Sequence, residues 1–339
     1  MFTRETANPL SKVESILVVR LGAMGDVLHA LPAAASLKHN FPASRLTWVV
    51  DAPWAPLLEG NPFIDTVVAL DRKRPRTWWH TRRALLQSRY SVAVDFQGLF
   101  KSAFVATLAR PERIVGFHSS EVRERAAAFF YSQCVEAGPV HAVDRNLALA
   151  KAAGAVSLLR QFPLPAGRPE GDLPRDGFVL ASPLAGWVSK QWPLEHYAEL
   201  ARILRNDSGL PLVVNGPPSA RAILQSIPNC IVHVGGMEGL IHATRHAIAV
   251  VGVDSGPMHL AAALNKPGAA IFGPTDPARN GPYGGSLQVL CHASAVPKLQ
   301  RTDGRSGAYV RGTEIDSAMR AITPAAVLEA LKAQVACPA

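Results

Sequence analysis

Short apolar runs rich in β-branched residues alternate along this chain with longer segments whose apolar positions recur three and four residues apart. The first pattern suits strands buried on both faces and the second suits helices with one buried stripe, so the alternation predicts repeated βα units and parallel sheets. In the first half, strands are expected at Ser15–Arg20, Leu46–Asp51, Thr66–Leu70, Val92–Phe96 and Arg113–Phe117. The second half offers Phe178–Ser182, Pro211–Asn215, Cys230–Val234, Ala249–Val253 and Ala269–Phe272, with Leu287–Cys291 as a late addition. Helices are expected between them, among them Val27–Lys38 and Glu195–Arg205, with a final one at Pro324–Ala336. Each half is thus an α/β sandwich of five or six strands.

A chain of 339 residues exceeds the size at which one core keeps growing, so two domains of about 150 residues each are expected. The boundary falls in Phe162-Pro163-Leu164-Pro165-Ala166-Gly167-Arg168-Pro169-Glu170-Gly171-Asp172-Leu173-Pro174, whose prolines and glycines suit neither helix nor sheet. This divides the chain into an N-terminal domain at 13–162, a linker at 163–175 and a C-terminal domain at 176–312. A helical segment at 313–339, preceded by the polar stretch Lys298 to Thr313, is expected to dock back on the first domain.

No apolar run approaches the roughly 18 residues needed to span a bilayer. Met1 to Lys12 lacks the features of a secretory signal. Cys134, Cys230, Cys291 and Cys337 are far apart and show no metal-ligand spacing. A cytoplasmic chain without a metal site or other cofactor is the expectation. The net charge of +9 is uneven, because residues 1–160 hold 20 Lys and Arg against 13 Asp and Glu. Its densest stretch runs from Arg72 to Arg83, with Trp78 and Trp79 among the cations. Such a segment is either an ordinary solvated face or a surface for nucleic acid, an anionic membrane or a phosphorylated substrate.

Three constellations carry chemistry. Gly22-Ala23-Met24-Gly25-Asp26 follows the first strand and matches neither a dinucleotide fingerprint nor a P-loop. Asp26, in the first turn of the next helix at the sheet's carboxyl edge, either caps that helix or takes a proton from an attacking hydroxyl. In the second half, Lys190 lies in the loop Ser182–Pro193 and is either a solvated surface lysine or one that reaches over and neutralises a leaving diphosphate, while Trp192-Pro193 fixes the entry of the next helix. Asp254-Ser255-Gly256-Pro257-Met258-His259 joins a strand to an Ala-rich helix. Unpaired amides and the helix dipole make that junction an anion site, and His259 either bonds a phosphate or packs. No Asp-x-Asp pair ends a strand to hold a divalent ion against a nucleotide sugar.

With Asp95-Phe96-Gln97-Gly98-Leu99-Phe100-Lys101-Ser102, Lys190-Gln191-Trp192-Pro193 and Gly273-Pro274-Thr275-Asp276-Pro277 added to these, the chain resembles the bacterial lipopolysaccharide heptosyltransferases of glycosyltransferase family 9, nearest their heptosyltransferase I branch. The likeness runs from about Val13 to Leu331. It implies a GT-B fold, two facing Rossmann-like domains with parallel sheets and a deep interdomain cleft. It also implies inverting, metal-independent transfer of L-glycero-D-manno-heptose from ADP-heptose to the Kdo of the lipid A inner core, in peripheral contact with the cytoplasmic face of the inner membrane. No nucleic-acid partner is implied.

By matched position, the resemblance makes Asp26 the general base and Lys190 the lysine on the donor phosphates. It puts Gly186, Gly216, Gly236, Met237, Asp254, Ser255, Gly256 and His259 at the donor, and Gly25, Arg72, Gln97, Lys101 and Arg123 at the anionic acceptor. Two departures stand out. Ala185-Gly186-Trp187 replaces the threonines that precede the lysine in heptosyltransferase I, and Asn215-Gly216-Pro217-Pro218-Ser219-Ala220 lacks the acidic residue the family often uses for the ribose hydroxyls. Asn215 or Ser219 is the expected substitute. The competing readings are a family 9 enzyme with another nucleotide sugar or acceptor, and a non-catalytic polyanion-binding protein.

Overall fold

The structure, a computed structural model, describes residues 13–138, 140–292 and 312–336. The stretch Lys298 to Arg311, Cys337 and the segment Met1 to Lys12 lie outside the described residues. The chain forms two compact units, the first built chiefly of residues up to Pro163 and the second of residues from Leu164 onward.

The first unit carries strands β1 (Ser15–Val19), β2 (Arg45–Asp51), β3 (Thr66–Leu70), β4 (Val92–Asp95), β5 (Ile114–Phe117) and β6 (Gln133–Val135). Its helices are α1 (Met24–Asn40), α2 (Pro75–Leu85), α3 (Phe100–Leu108) and α4 (Ala142–Ala152). All strand pairs are parallel in the order β3-β2-β1-β4-β5-β6. Val18 pairs with Trp48 on one side and Val94 on the other, and every residue of β1 is buried, as a central parallel strand requires.

The second unit repeats the plan with β7 (Val179–Ser182), β8 (Leu212–Gly216), β9 (Ile231–Val234), β10 (Ala249–Val253), β11 (Gly268–Phe272) and β12 (Leu287–Cys291), in the parallel order β12-β11-β10-β7-β8-β9. Its helices are α5 (Leu194–Ser208), α6 (Arg221–Gln225), α7 (Met237–His246), α8 (Gly256–Ala263), α9 (Pro277–Asn280), α10 (Ser317–Ala321) and α11 (Pro324–Ala336). Strand alternation feeds two cores. Val179, Ala181, Val251 and Val253 pack on one face with α5, whereas Phe178, Leu180 and Val250 meet Met258 and Ala261 of α8 on the other.

Three expectations are refined. The final helix, expected to dock back on the first domain, packs in the second unit: Val327, Leu328, Ala330 and Leu331 join that unit's core, where α11 packs on α5, β10, β11 and β12. Burying each large aliphatic side chain there is worth about 1.5–3 kcal/mol, which holds the helix to its own sheet. Helix α1 begins at Met24 rather than Val27, so Gly25 and Asp26 belong to its first turn. Strand β6 was not foreseen, because three partly exposed residues at a sheet edge carry too short a pattern.

In both sheets the strand order reverses about the first strand. Loops leaving the neighbouring strands diverge at such a point and open a crevice at the carboxyl edge, the usual ligand position in open α/β sheets. The crevice lies between β1 and β4 in the first unit and between β7 and β10 in the second.

Candidate functional site

The loop after β7 coils into a short 3₁₀ turn, Val188–Lys190, that presents Lys190 at this crevice. Its Nζ donates to Asp254 Oδ2 at 2.5 Å and lies 4.5 Å from the centre of the Trp187 ring. His259 Nε2 stands 3.7 Å from the other oxygen, Oδ1. Asp254 and His259 are buried, and only 17% of the Lys190 side chain is exposed. Burial works against charge on Asp254, but His259 and Lys190 together outweigh it and hold the carboxyl well below the usual carboxylate range. The fold therefore brings together three of the residues singled out in sequence: Lys190 from the loop after β7, Asp254 at the end of β10, 64 positions away, and His259 in the first turn of α8.

Helix α8 starts beside them with Ser255 as its cap residue, yet the Ser255 side chain makes no capping bond. Its Oγ is buried without a hydrogen-bond partner among the described residues. Pro257 has no N–H, and Met258 donates back to the Ser255 carbonyl at 3.1 Å. The donors such an end offers an anion reduce to the first amides and the orphan hydroxyl. Trp192, expected to fix the helix entry, is fully buried, and its indole donates to Ile322 O at 2.9 Å. Gly186 is exposed, with nothing within 4 Å of where a Cβ would stand. Gly216 packs against α6, where a Cβ would lie 3.1 Å from Leu224.

Beyond the carboxyl end of β1, Asp26 occupies the third position of α1 and accepts the Ala23 N–H at 3.1 Å. The capping role is thus realised through one oxygen, Oδ2. Gln97 Oε1 accepts the Leu21 N–H at 2.8 Å and ties the loops after β4 and β1 together, while the Arg20 guanidinium donates to the Phe96 carbonyl. Arg72 closes on Asp51 at 2.5 Å. Burial pushes the Asp51 carboxyl up against the opposing effect of Arg72. Lys101 and Arg123 are exposed, and Gly25 is half-buried.

Residues 78–308 match the sequence profile of glycosyltransferase family 9, the heptosyltransferases. The chain belongs to this family. It is 31% identical over 308 residues to lipopolysaccharide heptosyltransferase 1 of Escherichia coli K12, covering 82% of this chain and 93% of that one. Identity to the Pseudomonas aeruginosa lipopolysaccharide heptosyltransferase 1 is 29% over 316 residues, covering 85% and 86%. Among solved structures it is similar to the E. coli heptosyltransferase WaaC with ADP, at a TM-score of 0.73 and 27% identity over 94% of this chain and 99% of that one. Its two parallel six-strand sheets are those of the GT-B heptosyltransferases.

In this family 9 chain the structure gives a role to Asp95 and Ser102, which the motif contained without one, and adds Tyr131, Asp51 and Trp54. Asp95 is fully buried and accepts from Tyr131 Oη at 2.7 Å, Ser102 Oγ at 2.8 Å and the Gln97 N–H at 2.8 Å. Burial raises its pKa against the effect of those bonds. The carboxyl shapes the loop that carries Gln97, where Gly98 sits at φ +68°. Tyr131 was invisible in sequence because it approaches from 36 residues away. Asp51 and Trp54 stand at the Gly22 turn, the ring nitrogen of Trp54 2.8 Å from where a Gly22 Cβ would be. An acidic residue ending a strand was the signal available for Asp51.

Proposed function

We propose that this family 9 enzyme transfers L-glycero-D-manno-heptose, with inversion, from ADP-heptose to the Kdo of the lipid A inner core. The observation that carries this reading is the convergence of Lys190, Asp254 and His259 at the crevice of the second sheet, in a chain similar to lipopolysaccharide heptosyltransferases 1. A related solved structure is described as WaaC with ADP-2-deoxy-2-fluoro heptose, which supports the same donor class here. The Asp26 carboxylate takes the proton of the acceptor hydroxyl, and that oxygen attacks the anomeric carbon opposite the leaving group. The bond from that carbon to the diphosphate oxygen breaks, its electron pair leaves on the diphosphate, and Lys190 with the start of α8 offsets the charge. Gly186, Gly216, Gly236, Met237, Ser255 and Gly256 line the donor side in this reading, and Gly25, Arg72, Gln97, Lys101 and Arg123 the acceptor side.

A donor panel tests it. Heptose transfer to Kdo₂-lipid A is expected with ADP-heptose and not with GDP- or UDP-sugars. Preference for GDP or UDP would instead establish the second reading, a family 9 enzyme with another nucleotide. The observation that favours this second reading is that Asn215-Gly216-Pro217-Pro218-Ser219-Ala220, at the end of β8, holds no carboxylate.

The acceptor is a lipid, and no helix among the described residues is long and apolar enough to cross a membrane. The reading therefore includes peripheral contact with the anionic cytoplasmic face of the inner membrane. Exposed aromatic side chains support it: Phe129 is 91% exposed, Trp79 67%, Phe100 47% and Phe104 41%. They sit on adjoining elements, with Trp78 and Phe104 rings 6.4 Å apart and Phe100 and Phe130 rings 5.3 Å apart. Arg82 lies over Trp79 at 5.8 Å, within the Arg72–Arg83 stretch. Aromatic rings flanked by cations suit the headgroup layer of an anionic bilayer. Binding to phosphatidylglycerol vesicles and not to phosphatidylcholine vesicles is expected in sedimentation. The double variant Trp79→Ala, Phe129→Ala should weaken it at least tenfold, since each ring contributes roughly 1.5–3 kcal/mol on burial. Unchanged vesicle binding would remove the aromatic surface from the reading.

A further inference from the structure

The linker delivers a carboxylate to a place where the sheet itself has none. In nucleotide-binding α/β folds an acidic side chain associated with the second strand commonly takes the ribose hydroxyls. In the second unit that strand, β8, ends Asn215-Gly216-Pro217, and the Asn215 side chain is already committed. Its Nδ2 bonds His233 Nδ1 at 2.7 Å in a buried pair, and His233 Nε2 in turn bonds the Glu170 carbonyl oxygen. These contacts fix the backbone of Glu170. Its side chain then turns to α7, where Oε2 accepts the Gly236 N–H at 2.5 Å. The Gly235 N–H donates to the Gly216 carbonyl at 3.2 Å, so the carboxylate stands beside the ends of both β8 and β9.

The neighbouring positions are cut to fit it. A Cβ on Gly235 would lie 2.5 Å from Glu170 Oε2, and one on Gly239 would lie 2.7 Å from the same atom. The linker is also strapped to α7, because Arg245 donates to the carbonyls of Leu164 and Pro165 and the Arg168 N–H donates to Glu238 O. Capping α7 uses one oxygen of the carboxylate, and Oε1 has no hydrogen-bond partner among the described residues. A half-buried carboxylate with one oxygen held and one open, at the turn from β9 into α7 and one backbone hydrogen bond away from the end of β8, is a preorganised acceptor for a vicinal diol.

We propose that Glu170 is the specificity residue for the ribose hydroxyls of the donor nucleotide, supplied by the linker in place of a side chain on β8. This rests on the reading that the donor is a nucleoside diphosphate sugar. Calorimetric titration of the full chain with ADP, 2′-deoxy-ADP and 3′-deoxy-ADP tests it. The native chain should bind ADP about 10- to 100-fold more tightly than at least one deoxy analogue, the range for hydrogen bonds to a charged group. Glu170→Ala should bring ADP down to the level of that analogue and leave the analogue's own affinity unchanged. Glu170→Gln, which retains an oxygen for Gly236 N–H, guards against a folding defect and should narrow the preference with the melting temperature preserved. A purely structural cap would lower the melting temperature and leave the ribose preference intact, which overturns the proposal. Tighter ADP binding by Glu170→Ala also overturns it, since the carboxylate would then be a competitor. A native chain that binds no nucleoside diphosphate defeats the donor reading itself.

Discussion

Lys190→Ala is expected to lower kcat/KM by about 10²–10³-fold, the effect of removing one preorganised group from a developing negative charge. Most of the loss should fall in kcat, because the charge that Lys190 offsets grows as the bond to the diphosphate breaks. The same substitution strips a buried carboxylate of its 2.5 Å partner. His259 at 3.7 Å compensates in part, so a destabilisation of about 3 kcal/mol, the low end for a broken buried pair, is expected in denaturant unfolding. The pH dependence has a definite sign. The folded-state pKa of Asp254 lies below its ordinary value of 3.8, so its contribution to stability is complete above that value and fades as pH falls toward the folded-state value. Without Lys190 the folded-state pKa rises toward the ordinary value, and acid unfolding of the variant should begin at higher pH. Activity within threefold of the native chain would remove Lys190 from the chemistry and leave it a structural partner of Asp254.

Asp26 separates a capping role from a catalytic one through a pair of substitutions. Asp26→Asn keeps an oxygen that can accept the Ala23 N–H, now bonded at 3.1 Å, whereas Asp26→Ala removes it. Thermal unfolding should therefore show a loss of about 1 kcal/mol for alanine and little for asparagine. Turnover should fall about 10²–10⁴-fold in both, because neither can take a proton from the acceptor hydroxyl. Recovery of turnover in Asp26→Asn would identify the residue as a helix cap and move the search for a base elsewhere, with Asp51, at the Gly22 turn, the next residue to test.

Strand positions followed directly from the apolar runs. Thr66–Leu70, Ala249–Val253 and Leu287–Cys291 end where the apolar runs end, because the flanking turns are polar or rich in Gly and Pro; of the three only the central strand Ala249–Val253 is buried throughout, and the other two lie at sheet edges. The start of α1 was less legible. Gly25 reads as turn chemistry in isolation, but a helix tolerates glycine in its first turn when an acidic residue at the third position answers the cap amide, as Asp26 does. The docking of α11 could not be read at all. Its apolar stripe specifies that a face is buried, and the stripe is equally compatible with either sheet.

By itself the sequence determined the α/β class, the two-unit plan, the order of the motifs and the residue types able to bind a diphosphate or take a proton. Those properties are local: they depend on period, on turn chemistry and on side-chain identity within a few positions. Tertiary structure decided which of these residues meet. Lys190 reaches Asp254 because β7 and β10 are neighbours in the sheet although 64 residues separate the two side chains. Tyr131 reaches Asp95 across the next strand, and Glu170 reaches Gly236 because glycines at 235 and 239 leave it room. Strand order and close backbone approach are set by the packing of the whole sheet, and no local stretch of sequence encodes them.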